Sequence, residues 1–193
     1  MLASLEADET ARTPGRLAAL TRAARELGEA YRSDGAAGVA DRTTAVSYAL
    51  TRMKATAGAM RTALGEASAS SPWFTPETHL DLGTGCGAGL LAAASVFGPL
   101  GQQVGLDRSA AMLSLAEKLR HGVSSAPSPD RLELVEAALE HGLPNLGRFD
   151  LVTAGYCLGE LDQVVGEAAR SACRLVCLEA REQAPQVARE GRR

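Results

Sequence analysis

Apolar residues recur at helical spacing in the first third of the chain and gather into short runs after it. From about Gly15 to Tyr31, the residues Leu17, Leu20, Ala24, Leu27 and Tyr31 return at steps of three and four. That period predicts one amphipathic helix, stopped by Ser33-Asp34-Gly35. From about Arg42 to Glu66 a second stripe, Val46, Leu50, Met53, Ala57, Met60 and Leu64, has the same period and predicts a longer helix. The two stripes are expected to pack on each other or on whatever follows, as a helical cap. Arg42, Arg52, Lys54 and Arg61 on the second helix leave open a lid over a ligand or a partner surface. Ala67 to Pro76, with Ser68, Ser70, Ser71 and Pro72, reads as a linker that Trp73 and Phe74 pin by burial.

After the linker the period changes. Short strand-like runs at His79–Leu82, Gln103–Asp107, Leu132–Glu136, Phe149–Ala154 and Leu175–Glu179 alternate with helix-like stretches. The stretches lie at about Gly87–Phe97, Ser109–Leu119 (Ser109 as cap) and Asp162–Cys173. Such alternation predicts an α/β fold: a Rossmann-like, doubly wound, mostly parallel sheet with helices on both faces. Its ligand edge lies at the strand C-termini, where strand order reverses. Residues 1–70 form the cap and linker, 71–182 the ligand-binding domain and 183–193 a polar tail.

Candidate chemistry collects at that edge. Asp81-Leu82-Gly83-Thr84-Gly85-Cys86-Gly87-Ala88-Gly89 lies between the first strand and the next helix, the context in which a glycine-rich turn meets a nucleotide-like ligand. An acid at Asp81 suits a pyrophosphate poorly. It suits the cationic methionine part of S-adenosylmethionine well, with Gly83, Thr84, Gly85 and Gly87 forming the turn around it. Cys86 reads as a small turn residue that contributes only its backbone. Asp107 ends the second strand 18 residues after Gly89 and is placed to accept both ribose hydroxyls, or to cap the helix that follows. Glu136, ending the third strand, is the candidate for adenine readout, or a plain solvent-facing acid. In the turn after the fourth strand, Tyr156 and Glu160 are the candidates for acceptor contact or proton removal; their structural alternatives are a wedge and a helix-dipole acid. Methyl transfer asks mainly for alignment, so a cofactor site can be plain while the acceptor stays unspecified.

Composition narrows the classes further. A net charge of −3 and 4% aromatic residues disfavour a broadly basic nucleic-acid binder and a base-stacking surface. No apolar run approaches the roughly 20 residues of a membrane-spanning helix. Met1–Thr10 carries Glu6, Asp8 and Glu9 and no basic residue, the reverse of a presequence, so the expected location is cytoplasmic. Cys86, Cys157, Cys173 and Cys177 match neither a disulfide framework nor a zinc-ligand spacing, so no metal site is expected.

Two further segments carry a family resemblance. Tyr48-Ala49-Leu50-Thr51-Arg52-Met53-Lys54-Ala55-Thr56-Ala57 resembles a Tyr-x-x-x-Arg-Met-Pro-Ala-Thr helix motif. Asp150-Leu151-Val152-Thr153-Ala154-Gly155-Tyr156-Cys157-Leu158-Gly159-Glu160-Leu161 resembles an Asp-Leu-Val-x-x-Ser-Tyr-x-Leu-Gly-Glu-Leu signature. Both flank the glycine turn in the order found in methyltransferase-like proteins associated with the small ribosomal subunit of bacteria and mitochondria. The resemblance covers about Ala45 to Glu179. It implies a class I S-adenosylmethionine-dependent fold and a role on or near small-subunit rRNA in assembly or translation. It also implies that Asp81, Gly83, Gly85, Gly87 and Asp107 bind the cofactor, and that Tyr156 and Glu160 belong to the signature turn. Lys54 replaces the motif's Pro, which predicts a more regular helix, and Ala180-Arg181-Glu182 replaces a Gly-Thr-Pro-type turn. The chain stops before the family's last strands and its cysteine-rich segment, so the fifth strand is expected as an exposed edge and no iron–sulfur site is expected. Two other readings stay open: a non-enzymatic assembly module on the same fold, and a nicotinamide-dependent oxidoreductase. Against the second stand Asp81 and the absence of a Tyr-x-x-x-Lys pair.

Overall fold

The computed structural model describes residues 15–32, 41–122, 129–139, 142–155 and 173–175. Three helical segments precede the sheet. They are α1 (Arg16–Arg32), α2 (Arg42–Tyr48), and α3 (Lys54–Ser70), which a π-helical turn (Ala49–Met53) joins to α2. Then follow β1 (Thr78–Leu82), α4 (Ala88–Phe97), β2 (Gln102–Asp107), α5 (Ala110–Gly122), β3 (Arg131–Glu136), β4 (Phe149–Ala154) and β5 (Cys173–Leu175). The five strands form one sheet in the order β3-β2-β1-β4-β5, and every pairing is parallel. The chain steps outward from β1 to β2 and β3, then returns to pair β4 with the free side of β1. Strand order therefore reverses between β1 and β4, where the C-terminal strand ends diverge and leave a crevice.

The core has three parts. On one face Leu80, Leu82, Val104, Leu106, Val152 and Ala154 join Leu139 and Phe149. On the other, Met60 and Leu64 of α3 pack with Ala92 and Ala93 of α4, Leu100, and Leu151 of β4. The third part joins Leu27, Ala45, Val46, Ala49 and Met53 of the helical cap to Cys86, Ala88, Met112, Leu115 and Leu119 beside the glycine turn. The predicted cap is thus packed into the same apolar interior as the sheet layer. Asp41 starts α2 by accepting from the backbone N–H groups of Thr43 (2.7 Å) and Thr44 (3.0 Å).

Several expectations need correction. Leu17 is 79% exposed, so the α1 contact stripe begins at Leu20 and runs through Ala23 and Leu27. Leu50 is 42% exposed while Ala49 and Met53 are buried. The π turn carries one extra residue, which rotates Leu50 out of the stripe and brings Ala49 into it. Lys54 in place of Pro accordingly does not follow a regular helix; the wide turn lies directly before it. The predicted linker starts too early, since α3 runs on to Ser70. Ser70 remains helical with its hydroxyl donating to the Glu66 carbonyl at 2.8 Å. Phe74 does pin the linker, edge-on to Phe97 with centroids 5.9 Å apart, but Trp73 is 73% exposed. The helix expected at Asp162–Cys173 lies outside the described residues except that Cys173 opens β5; of the fifth strand expected at Leu175–Glu179, only Leu175 is described.

Candidate cofactor site

The turn from Gly83 to Gly87 joins β1 to α4 at the reversal point. Gly85 and Gly87 have φ of +54° and +89°, a region that L side chains rarely enter, so the backbone itself calls for glycine there. The Thr84 N–H donates to the Leu106 carbonyl at 2.9 Å and the Gly87 N–H to the Thr84 carbonyl at 2.8 Å. Those bonds fold the turn back over the end of β2. Gly105 makes room for this, because a β-carbon there would sit 2.9 Å from Thr84 Cγ2.

Asp107 stands across from the turn at the end of β2. Its Oδ2 accepts from the Gly85 N–H at 2.8 Å and its Oδ1 from the Ser109 N–H at 2.9 Å. Ser109 Oγ in turn accepts from the Met112 N–H at 3.3 Å, which caps α5 as its sequence position suggested. The carboxylate is half-buried, so it can present lone pairs to a ligand over the turn while the backbone holds it in place. Glu136 is exposed and pairs in register with Asp107 on the neighbouring strand.

Asp81 behaves differently. It is 2% exposed, and its carboxylate accepts from Thr84 Oγ1 (2.7 Å to Oδ2), Thr153 Oγ1 (2.6 Å to Oδ1) and the Leu90 N–H. A β-carbon on Gly89 would fall on this carboxylate, so the first turn of α4 closes over it. Burial raises its pKa to about 6; the two threonine hydroxyls oppose that rise, and the Asp107 charge adds to it. Thr84, expected as part of the ligand turn, is itself buried with its hydroxyl on Asp81. Cys86 is buried, and desolvation pushes its thiol up to about 12, which leaves an inert group in the turn.

Asp81, Gly83, Thr84, Gly85, Gly87 and Asp107 are thus brought together around one turn, with Glu136 at its flank. Tyr156 and Glu160 lie outside the described residues. The strand leading to them ends at Ala154, paired with Leu82 beside the turn. Sequence reasoning missed His79, Gln103 and Thr153, which sit beneath Asp81. His79 Nε2 is 2.7 Å from Thr153 Oγ1, and Gln103 Nε2 is 3.0 Å from both His79 Nδ1 and the Leu90 carbonyl. The available signal was the alternation of β1: His79 and Asp81 are two apart and share one face, against an apolar Leu80 and Leu82 on the other. Register then supplies the partners, since His79 pairs with Gln103 and Asp81 with Thr153. Also missed was Gly155, where a β-carbon would lie 2.7 Å from Met60 Sδ of α3.

Comparison with known proteins places this geometry. Residues 42–177 match the family described as mitochondrial small ribosomal subunit Rsm22. A curated relative, the human "Ribosome assembly protein METTL17, mitochondrial", is 36% identical over 115 residues, 59% of this chain and 25% of its own length. The chain therefore spans about a quarter of that relative. Among solved structures, the plantazolicin methyltransferase BpumL in complex with SAH superposes with a TM-score of 0.53 at 17% identity, covering 80% of this chain and 58% of that one. An S-adenosylmethionine-dependent methyltransferase from Clostridium acetobutylicum gives 0.50 at 18% identity, over 67% of this chain and 51% of its own. At these identities the likeness establishes the class I methyltransferase fold.

Proposed function

The chain belongs to the Rsm22 family of small-ribosomal-subunit proteins, and from that premise we propose that it serves small-subunit assembly as a methyltransferase-fold protein that binds S-adenosylmethionine at the Gly83–Gly87 turn. It acts on or near the small-subunit rRNA. The observation that carries the cofactor reading is Asp107: a half-buried carboxylate at the end of β2, held by the Gly85 and Ser109 N–H groups and facing a turn whose glycine backbone lets a ligand approach.

Each residue has a task in that reading. Asp107 accepts the ribose hydroxyls. Gly83, Gly85 and Gly87 keep the turn free of side chains. Asp81, enclosed below the turn, offers negative charge to a cationic amino-acid tail through the protein interior. Glu136 borders the adenine side. The bound cofactor supplies an activated methyl group, so the protein's part is orientation and exclusion of water. Tyr156 and Glu160, in the signature turn, are our candidates for contact with the acceptor.

A second reading is favoured by one feature. The Asp81 carboxylate is buried and already accepts from three internal donors, as suits a protein that keeps the fold as an assembly platform and transfers no methyl group. The place of action is the compartment that holds the target ribosome; the human relative is described as mitochondrial.

Calorimetry with S-adenosylmethionine, S-adenosylhomocysteine and NAD tests the cofactor reading. Binding of the first two, and at least a tenfold loss in Asp107→Ala, is expected; the loss corresponds to about 1.5–3 kcal/mol for charge-assisted hydrogen bonds. Unchanged affinity in that variant removes the ribose assignment. Labelled-methyl incorporation into small subunits from a deletion strain then separates enzyme from platform. Co-sedimentation with small subunits and no incorporation selects the platform.

A further inference from the structure

His79 is the buried titratable side chain beneath the turn that the cofactor reading leaves without a task. Resting on that reading, we propose that His79 and Thr153 are positioning residues: through a hydrogen-bond chain of fixed direction they hold the Asp81 carboxylate as an acceptor beneath the glycine turn, and so set that site's affinity for a cationic ligand.

The direction follows from the donors. The Gln103 amide nitrogen lies 3.0 Å from the Leu90 carbonyl, a pure acceptor, so Nε2 rather than Oε1 must face it. The second hydrogen of the same Nε2 points to His79 Nδ1, also at 3.0 Å. Nδ1 must then accept, which puts the ring proton on Nε2. Nε2 donates to Thr153 Oγ1 at 2.7 Å, and the single hydroxyl proton of Thr153 is left for Asp81 Oδ1 at 2.6 Å. The Leu90 N–H donates to Asp81 as well, so the chain begins and ends on one residue at the start of α4. The ring stitches β2, β1, β4 and α4 together under the turn.

Strand register makes the arrangement possible. Gln103 is the β2 partner of His79, and Thr153 the β4 partner of Asp81. An acid supported in this way keeps its charge better than its burial alone permits, because two hydroxyls and a backbone N–H favour the ionised form. Among the described residues, the titratable groups facing Asp81 are Asp107, from the end of β2, which opposes ionisation, and His79 of β1, reached through Thr153. Among the described residues, α4 contributes the Leu90 backbone and β4 the Thr153 hydroxyl. Burial drives the His79 pKa down to about 3, so the ring is neutral at working pH, as the chain of donors requires.

The test uses the full chain and its Thr153→Val and Thr153→Ser variants. Two quantities are read against pH: the titration midpoint of the Asp81 carboxyl by carbon NMR in ligand-free protein, and the affinity for S-adenosylmethionine and S-adenosylhomocysteine by calorimetry. Thr153→Val is expected to raise the Asp81 midpoint by about one unit, and to move the pH at which affinity is half lost upward by the same amount. Thr153→Ser, which keeps the hydroxyl, is expected to restore both. A Thr153→Val chain that melts earlier but titrates and binds with the parent's pH profile overturns the proposal and leaves a packing role. If Thr153→Val does not fold, a Thr153→Ser midpoint displaced from the parent's by a full unit counts against it in the same way. A shifted midpoint in a chain that binds neither ligand supports the positioning and overturns the cofactor reading alone.

Discussion

At the scale of single residues, the site couples two buried groups whose proton equilibria oppose each other. Burial raises Asp81 from 3.8 to about 6, so the folded chain holds this proton more readily than the unfolded chain. Its contribution to stability is fully present below pH 3.8 and is lost as pH rises through about 6. His79 is lowered from 6.5 to about 3, so its contribution is present above pH 6.5 and is lost as pH falls toward 3. Between about pH 4 and 6 the two slopes, each about 1.4 kcal/mol per pH unit, cancel. Urea unfolding across that range resolves them. Relative to the parent chain, His79→Gln is expected to lose stability as pH rises from 4 to 6, and Asp81→Asn to gain it. Parallel profiles in all three chains would place both groups outside the buried network. At this scale the sequence disclosed Asp107 and the glycines, because a strand end and a turn are local features. It did not disclose His79, Gln103 or Thr153. Their chemistry exists only through cross-strand neighbours 24 and 74 positions away.

At the scale of elements, helix starts and helix-to-strand contacts decide the geometry. Asp41 holds the first turn of α2 through two backbone N–H groups and the Thr44 hydroxyl, and those bonds, the Thr44 backbone first, lower its pKa. Asp41→Ala is expected to cost about 1 kcal/mol in urea unfolding, the usual loss for a helix cap. The contact between α3 and the end of β4 is sharper. Gly155→Ser would set a β-carbon against Met60 Sδ, and is expected to destabilise by about 1–3 kcal/mol through overpacking. Met60→Ala opens a space at a buried position, with a cost of about 2–5 kcal/mol. The double variant should lose clearly less than the two single losses added together, because one change relieves the other. Strict additivity in chemical denaturation would mean that the helix and the strand end do not touch. The stripe on the second predicted helix revealed Val46, Met53, Met60 and Leu64 correctly but not the fate of Leu50. A regular 3.6-residue period cannot anticipate a π turn, which forms where the packing of Ala49 and Met53 outweighs the regular hydrogen-bond ladder.

At the scale of the whole molecule, the helical cap and the sheet share an interior. Leu64, fully buried, packs with Ala92 and Ala93 of α4 and Leu151 of β4. Leu64→Ala is therefore expected to cost about 2–5 kcal/mol and to shift a single unfolding transition seen alike by far-ultraviolet circular dichroism and by the carbon signals of the sheet. Two separated transitions would instead make the cap an independent unit.

The alternation of short apolar runs with helical stretches was enough to determine a doubly wound sheet, the turn at its reversal point and the acid at the end of β2. Each of these follows from local periodicity and from the few residues that a tight bend or a strand terminus tolerates. Tertiary structure alone decided that the leading acid faces inward, that a histidine and two polar neighbours support it, that Leu50 turns outward and that Met60 fills the space beside Gly155. Those outcomes depend on which strands become neighbours and in what register, and a carboxylate takes its proton affinity from the groups that folding sets around it.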